Sequence, residues 1–161
     1  MKVVSKPGNR YPESLAFLLS QVGARSAELF ADQLQPLGIS PRAFGALSNL
    51  DAREGQTQQQ LADTLGIHRN NMVGLIDDME AAGWVRRHRS EQDRRAFNIR
   101  LTDTGRTLVP RVQDTIAALE QTLTSDLTAE ERITMAALLQ RVAATLDLVP
   151  GVHPSLRSRS R

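Results

Sequence analysis

The stretch from Thr57 to Thr102, reading TQQQLADTLGIHRNNMVGLIDDMEAAGWVRRHRSEQDRRAFNIRLT, constrains the fold more than any other part of the chain. Its patterning predicts two short helices joined by a tight turn, then a small hairpin. Thr57 with Gln60 three residues later fits a capping box, in which each side chain accepts a backbone N–H from the other residue. Leu61, Ala62 and Leu65 then face inward, and Gly66 turns the chain. The next helix, about 68–82, carries Met72, Leu75, Ile76 and Met79 on one face, and Gly83 stops it. Trp84-Val85, Phe97, Ile99 and Leu101 suit two short strands, with SEQDRR as the polar turn between them. Two helices and a hairpin in this order form a winged helix-turn-helix.

The flanks read as helix. Apolar residues from Leu15 to Leu34 recur at helical spacing, with Pro12 and Glu13 suited to the first turn. Pro36 and Gly38 end that helix, and Ser40-Pro41 starts another over about 41–53, burying Phe44, Leu47 and Leu50. Thr102 caps a helix over about 103–124 that contains Pro110. Thr128 with Glu131 opens a last helix to about Leu146. The expected organisation is a flexible lead-in (1–10), a dimerisation helix (11–39), a winged helix-turn-helix region (40–102), C-terminal dimerisation helices (103–147) and a disordered basic tail (148–161). The fold class is thus mainly α with a small β-hairpin wing.

Composition removes several functions. The chain has no cysteine, which excludes disulfides and thiolate chemistry. Its three histidines, His68, His88 and His153, lack metal-ligand spacing. There is no Gly-rich phosphate loop and no GxSxG elbow, so neither an enzyme nor a cofactor is expected. No apolar run approaches a membrane span, and the N-terminus does not read as a secretory signal. Cytoplasm is the expected location, with no membrane partner.

The net charge is only +2, but from Trp84 to Arg106 seven arginines face three acids. Such a local cluster suits a phosphate-facing surface, and double-stranded DNA is the expected partner. A helix entering the major groove meets base edges with side chains near its N-terminus. Arg69, Asn70 and Asn71 occupy that turn, with Val73 and Gly74 beside them. Arg can bind guanine O6 and N7, and Asn adenine N6 and N7, with two bonds each. At the wing tip, Arg94 and Arg95 suit a narrow minor groove, and Asp93 suits a positioning role. The contrasting reading is an interaction module whose arginine-rich wing binds an acidic protein partner.

From about Ser40 to Gly105 the sequence resembles the MarR family (multiple-antibiotic-resistance regulators). The matching pieces are TQQQLADTLGI, NNMVGLIDDMEAAGWVRR and DRRAFNIRLTDTGR, and the Asp-x-Arg wing followed by an LT-x-x-G helix start is the most specific of them. The resemblance implies a homodimer knitted by the terminal helices, binding a palindromic operator and repressing until a small aromatic or anionic ligand releases it. It places Arg95 as the minor-groove arginine and Asp93 as its positioning acid. His68 departs from the usual Ser or Thr cap, and Gly74 stands where a basic residue is common. The apolar faces of the first and last two helices exceed what one small winged domain can cover, which also suggests a twofold partner. By location, Phe17, Arg25 and Phe44 are the candidates for contact with an effector. For Arg25 the competing reading is a solvated ion pair with Glu28.

Overall fold

The computed structural model of the protein describes residues 11–90 and 97–153 of the 161-residue chain. Six helices and one hairpin follow one another as α1 (Leu15–Leu34), α2 (Pro41–Ala52), α3 (Gln58–Leu65), α4 (Arg69–Ala81), β1 (Val85–Arg89), β2 (Phe97–Leu101), α5 (Asp103–Leu123) and α6 (Ala129–Thr145). The expected lead-in (1–10) and the tail beyond His153 lie outside the described residues. Residues 148–153, expected within that tail, carry two backbone hydrogen bonds, Leu148 N–H to Ala143 and Val152 N–H to Val149. No helix among the described residues is long and apolar enough to cross a membrane.

Local signals start most helices where expected. The Ser40 hydroxyl accepts the Ala43 N–H at 3.1 Å, and Thr102 accepts that of Gly105 at 3.0 Å. Both capping boxes form: Thr57 N–H donates to Gln60 at 2.8 Å, and Thr128 N–H to Glu131 at 2.8 Å. The start of α1 differs from the expectation. Pro12 and Glu13 sit in a short 3-10 turn, and α1 begins only after Ser14, whose hydroxyl accepts the Phe17 N–H at 3.3 Å. A serine oxygen satisfies one of the orphan N–H groups, which Pro12 cannot do.

The core is built around α2. Leu47, Leu50, Leu61, Met72, Ile76 and Ile99 are all fully buried, so α2, α3, α4 and the hairpin share one apolar interior. Antiparallel pairing sets Val85 opposite Leu101 and Arg87 opposite Ile99. Gln56 and Thr57 lie along the far side of β2, where the Ile99 N–H donates to the Gln56 carbonyl at 2.8 Å. At the end of α3, Gly66 takes the left-handed φ of 64° that the turn needs and that a Cβ would disfavour.

The start of α5 is fastened to the turn between α4 and β1. The Thr102 hydroxyl donates to the Gly83 carbonyl at 2.6 Å, and the Thr102 N–H donates to Trp84 at 3.0 Å. Gly105 is buried against the same turn: a Cβ there would stand 2.1 Å from the Trp84 carbonyl oxygen. Farther along, α5 packs on α1 and α2. By contrast α6 buries none of its residues, and Ile133, Leu138 and Val142 stay exposed.

Candidate nucleic-acid interface

The start of α4 is capped by the residue that least resembles a cap in sequence. His68 Nδ1 accepts the Asn70 N–H at 3.3 Å, so the imidazole serves where a hydroxyl is common. Met72, Ile76 and Met79 lock the inner face into the core. That packing turns Arg69, Asn70, Asn71, Val73 and Gly74 outward, and all five are exposed. The five residues therefore share one exposed surface on a helix whose opposite face is packed in the core. Asp93, Arg94 and Arg95, expected at the wing tip, lie outside the described residues.

Charge is unevenly distributed along α4. Its first turn carries Arg69, whereas its second half carries Asp77, Asp78 and Glu80. Carboxylates near a phosphate backbone are repelled, and Arg87 neutralises two of these three. Arg87 Nη2 lies 2.6 Å from Asp77 Oδ1, and Nη1 lies 2.6 Å from Glu80 Oε2. The Arg87 backbone N–H also donates to Glu80 Oε1 at 3.1 Å, and Nη2 reaches Gln58 Oε1 at 3.4 Å. One guanidinium thus ties β1 to both helices of the helix-turn-helix and fixes the angle of the wing. The backbone hydrogen bond from Arg87, joined by its side-chain bond and charge, holds the Glu80 carboxyl below its ordinary value against the opposing effect of desolvation.

Sequence reasoning counted Arg87 only as one positive charge among seven. The signal for its role was the alternation of β1: if Val85 points inward, so does the residue two positions on. Asp77 and Glu80, three residues apart on α4, share the face it reaches. On the opposite strand face Arg86 sits directly across from Arg100.

The fold that presents this surface is shared with solved proteins. A transcriptional repressor, CouR, solved bound to a 23-mer DNA duplex, superposes with a TM-score of 0.75 at 34% identity, covering 84% of this chain and 96% of that one. The model of the MarR family matches residues 37–96. The chain belongs to the MarR family. A mutant MarR from Escherichia coli, solved complexed with operator DNA, gives a TM-score of 0.69 at 26% identity, covering 82% of this chain and 96% of that one. The HTH-type transcriptional regulator PecS of Dickeya dadantii is 36% identical over 107 residues, 65% of this chain and 64% of PecS. The match to PecS thus spans just under two thirds of that protein's length.

A second feature of this MarR-family chain is a cavity of about 660 Å³ between α1, α2 and α5, within the size range of small-molecule sites. Phe30, Phe44, Ile116 and Leu119 form apolar walls, and Gly151 and His153 reach it from beyond α6. Phe30 and Phe44 meet edge to face with centroids 5.8 Å apart. Of the three candidate ligand residues, only Phe44 lines this cavity. Phe17 packs its ring on Tyr11 with centroids 5.0 Å apart, and Arg25 pairs with Glu28 at 3.0 Å in solvent. The apolar residues near Arg25 in sequence, Val22, Ala24 and Ala27, are themselves exposed and do not enclose it.

Proposed function

We propose that the chain is a sequence-specific, DNA-binding transcriptional regulator, a repressor that acts as a homodimer on a pseudo-palindromic operator. The observation that carries this reading is the α4 surface: Arg69, Asn70 and Asn71 exposed at a helix start whose wing is pinned by Arg87. The DNA-bound state of CouR supports it, since that protein has the same fold at 34% identity. In this reading Arg69, Asn70, Asn71, Val73 and Gly74 meet base edges, while Arg95 enters the minor groove, Asp93 positions it and Arg94 touches phosphate. Dimerisation is supported by α6, which buries nothing in a single copy, and by an open apolar groove where Leu15 and Leu19 of α1 face Met135, Leu138 and Val142. A twofold partner covering these faces sets two copies of α4 about 34–36 Å apart, one turn of DNA.

The cavity supports an effector that is aromatic rather than anionic. Its walls are mainly apolar, the described lining residues include the acid Glu120, and none of them is Arg or Lys. A carboxylate ligand would meet Glu120 there with no arginine or lysine among the described lining residues to offset it, His153 being the one imidazole.

The test is selection of genomic fragments on the purified protein, followed by titration of the selected duplex at several salt concentrations. Specific binding at about 10³-fold or more above non-specific binding is the expected result. Weak, sequence-indifferent binding would overturn it and favour an interaction module for an acidic protein surface.

A further inference from the structure

The outer face of the first half of α4 holds one side chain that cannot hydrogen-bond. Val73 is 39% exposed, whereas Met72, Ile76 and Met79 on the same helix are fully buried. It follows Asn70 by three residues, which puts both on the same face one turn apart. Gly74, next in the chain, is exposed too, and a Cβ built on it meets nothing within 4 Å outside its chain neighbours and its own helix backbone. The bare backbone at Gly74 beside the exposed Val73 leaves a shallow notch in the helix surface.

Major-groove edges differ in what they offer such a notch. Guanine, adenine and cytosine present donors and acceptors, which a valine leaves unpaired and desolvated. Thymine alone adds an apolar group, the 5-methyl. We propose that Val73 and the open face of Gly74 form a thymine-reading site, in which the 5-methyl of one thymine per half-site packs on the isopropyl group above Gly74. This rests on the regulator reading and supplies the chemistry of one position of its operator. The contact adds an apolar element to a face where Asn70 and Asn71 offer hydrogen bonds. It selects thymine over cytosine, which lacks the methyl at the same ring position.

The experiment uses the full-length protein and a duplex selected from genomic fragments. Each thymine of that duplex is replaced in turn by deoxyuridine, which removes the methyl and leaves pairing intact. Affinities are read by fluorescence anisotropy for the wild type and for Val73→Ala, whose fold is checked by its melting curve. One thymine per half-site should lose about fourfold in affinity on losing its methyl, and both together about 15-fold. Val73→Ala should bind the thymine and deoxyuridine duplexes alike, while Asn70→Ala should keep the discrimination. Tight wild-type binding with no methyl-sensitive thymine would overturn the thymine site and leave the regulator reading standing. Equal sensitivity in Val73→Ala would do the same. Failure to select any duplex would overturn both.

Discussion

Replacing Arg87 by Ala removes, in one step, the group that binds Asp77 and Glu80 and fixes the wing. Arg87 is 21% exposed and its partners are 56% and 38% exposed, so the pairs are neither fully buried nor freely solvated. Hydrogen bonds to charged groups contribute about 1.5–3 kcal/mol each, and exposed pairs about 0.2–1. Two pairs of intermediate exposure therefore give a loss of about 2 kcal/mol. For a chain of this size that corresponds to a Tm lower by about 4–8 °C. Thermal unfolding of Arg87→Ala, Glu80→Gln and the double variant closes a cycle, in which a coupling of about 1 kcal/mol or more is expected. Arg87→Lys should fall between, because an ammonium cannot span both carboxylates as the guanidinium fork does. Arg87→Ala should also weaken DNA binding beyond its effect on stability, since it uncovers two acids on the helix proposed to enter the groove. A melt within about 1 °C of wild type, or a coupling below ~0.3 kcal/mol, would refute the argument.

Two further outcomes follow from the same geometry. The Glu80 carboxyl is held below its ordinary value of 4.5, so its contribution to stability is fully present above that pH and is lost as pH falls through the lower folded-state value. Urea midpoints measured from pH 6 to about pH 2 should show an acid limb that Glu80→Gln flattens; an unchanged limb would assign the acid loss to other carboxylates. Gly74→Ala and Gly105→Ala, both inside helices, should have opposite signs. Alanine at 74 enters open space and should add up to about 1 kcal/mol of helix stability. Alanine at 105 drives into the Trp84 carbonyl and should cost about 1–3 kcal/mol, read in the same melts. Stabilisation by Gly105→Ala would show that the α5 start can slide on the turn.

Much of the fold was legible because its signals are local. Thr57 with Gln60, Thr128 with Glu131, Ser40-Pro41 and Thr102 each specify a helix start from within one turn, and each forms the expected bond. The outward face of α4 followed from the spacing of Met72, Ile76 and Met79 alone. What sequence did not yield depends on separations in space. The Arg87 cluster joins α3, α4 and β1, with Gln58 29 residues away in the chain, and no local pattern encodes that distance. Phe17 and Arg25 were chosen for their place along α1, but which side of α1 faces the cavity is decided by where α5 packs. Ser14 capping was missed because Pro12 offered an equally plausible first turn two residues earlier.

Under the proposed reading, the division of α4 into an uncharged or basic first half and an acidic second half also limits how much of an operator the helix reads. In that reading only the stretch from Arg69 to Gly74 approaches the phosphates before Asp78, the acid that Arg87 does not neutralise, is repelled. At 1.5 Å of rise per residue that stretch is about 8 Å long, the height of roughly three base pairs. Two such words in a palindrome specify about six positions, which recur by chance about once in 4,000. Among the ~10⁶ competing sites of even a small genome, that leaves some 250 accidental matches. The information that α4 cannot carry falls to the wing and to the spacing and stiffness of the DNA between half-sites.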